Sequence, residues 1–227
     1  AFLGGLIHYA ISNDLCHMDY VRAHTNAPFL LREEFSFNEG HFSGWNAEKK
    51  SYDKASWQYE LDGSGYAKVD PTLENPRSIF QQMKHHYSRY TPEKVSEICG
   101  CTAEDFKKAA AVICSTGRAG KVGTILYALG WTHHSHSVQL IHTAAMLQLL
   151  LGNIGLPGGG INAQRGHANI QGSTDMGAWN MLPGYLRLPR ANQNTLDAYL
   201  KATTPKPLRP NSLNYWGNTP KFVTSLL

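Results

Sequence analysis

Much of what usually announces a protein's chemistry is missing from these 227 residues. The four cysteines, Cys16, Cys99, Cys101 and Cys114, never fall in the CxxC spacing of a zinc ribbon or dithiol redox site. The Cys99-Gly100-Cys101 run is too cramped for an easy disulfide between its own cysteines, so the sequence predicts buried thiols. Charge is thin, 17% of residues with a formal net charge of +4, and Lys and Arg are scattered instead of massed. That excludes a basic tract and leaves a small anionic ligand and a nucleic acid equally open. The opening "AFLGGLIHYAISND" has no basic segment before its apolar residues and is interrupted by His8, which argues against a secretory signal and a membrane span. No initiator Met begins the chain, and the expectation is an internal piece of a longer polypeptide or one processed form of it. There is no GxxxxGK[ST] or GxGxxG order, so "GLPGGG" reads as a turn and not as a phosphate loop. Internal repeats and low-complexity tracts are also lacking.

What is present suits an ordinary globular protein of one or two domains, with 42% hydrophobic residues. Leu3, Leu6, Ile7, Ala10 and Ile11 recur at helical spacing until "SND" stops them. "WQYELDGSGYAKVD" predicts a hairpin on the surface, its aromatic and β-branched arms flanking an Asp62-Gly63-Ser64-Gly65 turn. Thr91 followed by Pro92 is an N-cap with the N1 proline, opening a helix that Gly100 stops. Thr102 with Asp105 opens the next, which ends by Gly117. "VGTILYALG", residues 122–130, then reads as a strand buried on both faces and ended by Gly130. The helix from about Ser137 to Leu151 is apolar around nearly its whole circumference and is expected between layers. After "GNIGLPGGG", residues 161–163 complete a second parallel strand. The order predicts an α/β fold, a layered sheet with helices on both faces, in which ligands bind outside the carboxyl ends of the strands.

Two loops meet that rule, "GWTHHSH" at 130–136 and "QRGHANIQG" at 164–172. In the second, Arg165 offers a planar fork that grips a carboxylate or phosphate through two charge-assisted hydrogen bonds, a role best served by a buried guanidinium. Gly166 admits close approach to the backbone, and His167 can donate, accept or titrate near neutrality. The competing structural reading makes Arg165 a helix-end cap and His167 a core histidine. In the first loop Trp131, Thr132 and His133 suit a heteroaromatic cofactor carrying phosphates, near a helix start whose N–H groups face anions. Adjacent imidazoles on one loop point apart and no Cys, Asp or Glu lies near them in sequence, so His133, His134 and His136 are not expected to ligate a metal.

"LYALGWTHHSHSVQLIHTAAMLQLLLGNIGLPGGGINAQRGHANIQGSTDMG" followed by "LPGYLRLP" closely resembles the catalytic (alpha) subunit of molybdenum- and tungsten-dependent formate dehydrogenases, within the dimethyl sulfoxide reductase superfamily. "GNIGLPGGG" marks only the superfamily, whereas "RGHANIQG" with "GWTHH" marks the formate dehydrogenase branch. "YDKASWQYELDGSGYAKVD", "SRYTPEKVSEICG", "TPKPL" and "NYWGNTPKF" resemble its respiratory, often periplasmic form, so the resemblance covers essentially the whole chain. It implies a tungsten or molybdenum ion held by two molybdopterin guanine dinucleotides, and a 4Fe-4S iron-sulfur cluster bound mainly by the rest of the subunit. It implies formate as substrate and an iron-sulfur electron-transfer subunit as partner, with no nucleic acid and no direct membrane span.

By the same resemblance, Arg165 holds the formate carboxylate, His167 contacts the pterin and active site, and Gly130, Trp131 and His133, with Gly166, meet the cofactor. The family's cysteine or selenocysteine metal ligand, its neighbouring histidine and its cysteine cluster belong to an earlier part of the chain. None of the four cysteines here has the surrounding sequence to replace them. Residues 1–166 are then the latter half of one α/β cofactor-binding domain, and 167–227 a return segment of a second. The compartment implied is the periplasm, with the cytoplasm as alternative. A self-contained nucleotide-binding module without redox chemistry is the competing function.

Overall fold

The computed structural model describes residues 1–38, 40–118, 120–177 and 181–227. They form two compact units, one of Ala1–Glu60 with Lys68–Gln164, the other of Leu61–Ala67 with Arg165–Leu227.

The first unit is built on helices. Helices α1 (Phe2–Ser12) and α2 (Met18–His24) come first. Two small antiparallel pairs follow, β1 (Phe37–Asn38) with β2 (His41–Phe42) and β3 (Trp45–Asn46) with β4 (Ser51–Tyr52). Helices α3 (Ile79–Tyr87), α4 (Pro92–Cys99) and α5 (Ala103–Cys114) complete the core layer. The predicted start and stop signals sit where the chemistry requires. Thr91 and Thr102 cap α4 and α5 by accepting from the N–H groups of Lys94 and Asp105, and Gly100 ends α4 in the left-handed conformation. Leu6 and Ile7 of α1, Val95, Phe106 and Leu147 are buried together. At Gly5 of α1 a Cβ would stand 2.5 Å from Val95 and 2.8 Å from Phe106, so the absent side chain lets α1 press onto α4 and α5.

The chain then enters a parallel pair, β5 (Thr124–Tyr127) and β6 (Gly160–Ala163), in register Ile125 to Ile161. They are linked by α6 (Leu129–Thr132) and α7 (Ser137–Leu151). The β-α-β order and the second strand are as the sequence predicts. The burial is not: Thr124 and Leu126 are exposed, Leu126 by 59%. Among the described residues the sheet has two strands and no second covering layer, so an apolar strand keeps one open side. Gly130 likewise does not end the strand; it lies inside α6. Helix α7 buries Ala144, Leu147, Gln148, Leu150 and Leu151 in its second half, while Val138, Gln139 and His142 near its start are exposed. The thiols also differ from expectation. All four are free, but only Cys114 is buried and Cys99 is exposed, because it closes α4 on the solvent side.

Two buried amides tie the amino ends of the parallel strands to α7. Gln148 Nε2 donates to the carbonyls of Gly123 (2.9 Å) and Gly160 (2.5 Å). Asn153 accepts from the Gly123 N–H at 2.9 Å and donates to Thr116 Oγ1 and Gln148 Oε1 at 2.9 and 2.8 Å. Every strong donor of the two side chains is therefore used.

The second unit holds α8 (Ile170–Asp175), β7 (Met181–Leu182), a 3-10 turn at Pro183–Tyr185, β8 (Leu186–Arg187), α9 (Leu196–Thr203), a second 3-10 turn at Tyr215–Asn218 and α10 (Thr219–Leu226). Strands β7 and β8 pair antiparallel. Leu186, Tyr199 and Thr219 are buried there, with the Tyr199 hydroxyl donating to the Arg187 carbonyl at 2.7 Å. The predicted hairpin tip belongs to this unit. Asp62 closes it, its N–H donating to the Tyr66 carbonyl and its carboxylate accepting from the N–H groups of Ser64 and Tyr66. The described molecule thus combines helices with small sheets. No helix among the described residues is long and apolar enough to cross a membrane.

Candidate active-site loops

Both loops singled out in the sequence leave the carboxyl ends of the parallel strands. The first starts at Ala128, after Tyr127 ends β5. Its backbone winds immediately into α6, with the N–H groups of Trp131 and His133 donating to the carbonyls of Ala128 and Leu129. Trp131 is half-buried because its ring stacks on Tyr127, centroids 5.5 Å apart and planes 20° from parallel. The pair joins the last residue of β5 to a residue of α6 across the turn at Ala128, so neither a strand period nor a helix period in the sequence signals it. Gly130 lies in the first turn of α6, where helices leave N–H groups without internal partners, and a Cβ built on it meets nothing within 4 Å. His133, His134 and His136 are exposed. Among the described residues no group of three or more His, Cys, Asp or Glu side chains is placed to hold a metal.

The second loop continues β6. The Gln164 N–H donates to the Tyr127 carbonyl at 2.8 Å, extending the parallel ladder by one bond. From Gln164 to Asn169 every residue is exposed. Arg165 is therefore not the buried guanidinium expected, and His167 is not a core histidine. Neither side chain has a hydrogen bond, ion pair or ring partner among the described residues, so Arg165 caps no helix end there. Gly166, like Gly130, has open space where a side chain would stand. The loop ends as the Ile170 N–H donates to the His167 carbonyl at 3.2 Å and Asn169 leads into α8, its carbonyl accepting from the N–H and hydroxyl of Ser173.

Chemically the second loop offers a planar cation, an imidazole and bare backbone, and the first offers a stacked aromatic pair, bare backbone and imidazoles. Two further residues of the second unit, Asp175 at the end of α8 and Tyr185, escape a reading by motif. The Tyr185 hydroxyl donates to the Asp175 carboxylate. "LPGYLRLP" flags the segment, but nothing in its spacing says which side chain the tyrosine meets.

No protein-family model matches the chain. Individual proteins do. The chain is 50% identical over 228 residues to the formate dehydrogenase-O major subunit of Escherichia coli (strain K12), covering 100% of this chain and 22% of that protein. It is 48% identical over 228 residues to formate dehydrogenase 2 subunit alpha (cytochrome c-553) of Nitratidesulfovibrio vulgaris, with the same coverage. A more distant relative, the F420-dependent formate dehydrogenase subunit alpha of Methanocaldococcus jannaschii, is 36% identical over 117 residues, 51% of this chain and 17% of that protein. The chain spans about a fifth of the length of the relatives it matches from end to end. Taken along its full length, this chain belongs to the formate dehydrogenase major (alpha) subunit family and corresponds to one segment of it.

Proposed function

We propose that the chain forms one wall of the active site of a formate dehydrogenase catalytic subunit, with Arg165 as the residue that receives the formate carboxylate. The observation that carries this reading is the unpartnered Arg165 guanidinium, presented on a loop of exposed, small and polar residues that continues a parallel strand. An arginine without a partner among the described residues is available to an anion. Formate has little besides its carboxylate to be recognised by, and the guanidinium fork matches that group with two parallel hydrogen bonds. Oxidation removes two electrons and a proton from HCOO⁻ and leaves neutral CO₂. The arginine thus favours the substrate over the product and orients the C–H bond while the charge is held.

The family's cofactor is a tungsten or molybdenum ion carried by two molybdopterin guanine dinucleotides. When bound, it supplies the two-electron acceptor. The residues here fit the organic part of that group. Gly130 and Gly166 leave bare backbone with open space above it, Trp131 presents an aromatic surface, and His133 and His167 offer exposed ring nitrogens. They do not fit the metal itself or an iron-sulfur cluster, since no ligating cluster exists among the described residues. Both are assigned to the remainder of the subunit, and burial of Arg165 to the cofactor and that remainder. The reading further places the parallel pair in a layered sheet with helices on both faces, residues 1–166 and 167–227 in two cofactor-binding domains, an iron-sulfur subunit as electron partner, and the enzyme in the periplasm.

Arg165→Lys in the complete enzyme tests the assignment. It keeps the charge and removes the fork. The expected result is a loss in kcat/KM on the order of a hundredfold, about 2.7 kcal/mol of transition-state stabilisation, with metal and pterin contents unchanged. Near wild-type efficiency in a fully loaded variant would remove Arg165 from substrate binding.

A further inference from the structure

Among the described residues the loop that presents Arg165 and His167 has no side-chain anchor of its own; its start is held by β6 through the Gln164 N–H, and its other end depends on whatever fixes α8, the helix into which it runs. Helix α8 has six residues, far too few to hold its shape alone. Its far end is where the unit grips it. Gly177 lies just beyond α8 at φ 82°, and a Cβ there would stand 2.8 Å from Pro183 Cδ and 2.9 Å from Pro183 N. The end of the helix is therefore packed directly against the Pro183–Tyr185 turn.

Tyr185 in that turn has φ 61°, directly after Gly184 at 74°. A non-glycine residue in the left-handed region costs about 1 kcal/mol or more and persists only where its surroundings over-determine it. One constraint is Leu186, 1% exposed in β8. The other is the hydroxyl, which reaches the Asp175 carboxylate at the last residue of α8. A phenol donating to a carboxylate is a charge-assisted bond, and that bond is the largest cause raising the Tyr185 pKa above its ordinary value. The donor therefore stays protonated at neutral pH.

We infer that Tyr185 is a positioning residue for anion recognition: its hydroxyl bond to Asp175 fixes the end of α8 and, through α8, the Arg165–His167 loop. The inference rests on the reading of Arg165 as the formate ligand. Tyr185→Phe deletes one oxygen and keeps the ring. In the complete enzyme it is expected to raise KM for formate about tenfold, with kcat changed less than about twofold, because a displaced guanidinium weakens ground-state and transition-state binding alike. Metal content, pterin content and Tm are expected to match wild type. Asp175→Ala should reproduce the effect, Asp175→Asn, which keeps an acceptor oxygen, should restore most of it, and Tyr185→Phe with Asp175→Ala together should be no worse than either alone.

Measured beside Arg165→Lys, the outcomes separate. If Arg165→Lys impairs formate oxidation and Tyr185→Phe keeps the wild-type KM, the positioning role is wrong and the Arg165 reading stands. If Arg165→Lys is harmless, the reading fails and the inference with it. A Tyr185→Phe enzyme that loses activity only in step with its cofactor load or its Tm makes the tyrosine merely structural and overturns the inference.

Discussion

Glycine is where single residues speak most directly about what this chain folds for. Gly117 adopts φ 91°, and a Cβ on it would lie 1.6 Å from the Leu151 carbonyl oxygen; the fold itself forbids a side chain there. Gly130 and Gly166 are different. Neither has a left-handed φ, and a Cβ on either meets nothing within 4 Å among the described residues. What a side chain would obstruct at these positions must come from outside the described residues, which under our proposal is the guanine dinucleotide cofactor. Gly130→Val separates the two kinds. Glycine is already the poorer helix former, so α6 should not suffer, and the valine should instead block the cofactor. The expected outcome is a complete enzyme that expresses and keeps its Tm but carries less pterin and metal per subunit. A full load in that variant would take Gly130 off the cofactor surface. Letters alone do not make this distinction, because a fold-required glycine and a docking glycine look the same in sequence. Arg165 and His167 were legible as candidates because their residue types carry the chemistry. Their exposure was not, since it depends on what surrounds the loop.

At the scale of elements, the legible features were local ones. Helices α4 and α5 begin at a threonine cap and α4 ends at a glycine, signals contained within a few residues. The second parallel strand follows from the alternation of helix and turn before it. What covered the elements was harder to read. Apolar content alone suggested a fully buried β5 and α7, yet Leu126 and Val138 are 59% and 58% exposed, because burial is decided by neighbours that are distant in sequence. The amide clamp of Gln148 and Asn153 is illegible for a related reason. Gln148 looks like the polar interruption of an apolar helix, and only its 2% exposure shows that it faces inward. Asn153→Ala would strand the Gly123 N–H and the Gln148 Oε1 at a site where Asn153 itself is fully buried, while the Thr116 hydroxyl keeps its bond to the Ile113 carbonyl. Leaving such groups unpaired costs about 1–3 kcal/mol each, less whatever water recovers. We expect Tm to fall by about 5 °C or more, and Asn153→Asp to fall at least as far, because its carboxylate would bury a charge and set an acceptor against Gln148 Oε1, where the amide donates. Equal, negligible losses in both variants would mean that the clamp does not stabilise the strand pair.

Across the whole molecule, charge is unevenly placed. The unit of Leu61–Ala67 with Arg165–Leu227 holds seven Lys and Arg against three Asp and Glu, so all of the formal excess of +4 falls in the unit that carries Arg165. The other unit is balanced at neutral pH, and its response to acid is set in part by one histidine. His86 is half-buried against Phe42, with near-parallel rings 6.4 Å apart, and beside Phe37 and Tyr87. Arg89 Nη2 lies 2.7 Å from His86 Nδ1. A guanidinium only donates, so that nitrogen must accept and the ring must be neutral. Burial first, and then the charges of Arg89 and His85, draw the His86 pKa down from 6.5 to about 4. Above pH 6.5 the ring is neutral in both folded and unfolded chains and contributes nothing to pH dependence. Between pH 6.5 and about 4 the unfolded chain takes up a proton that the folded one refuses, so stability falls as pH falls and levels off below about 4. His86→Phe removes that proton uptake and keeps an aromatic ring in the cluster, while Arg89 retains its bond to the residue-86 carbonyl and its place over Phe37. The difference in Tm between pH 7 and pH 5 should therefore be smaller in His86→Phe than in wild type, with other histidines cancelling in the comparison. If both proteins lose the same Tm over that interval, His86 is protonated as readily in the folded state as in the unfolded one, and its bond with Arg89 does not form.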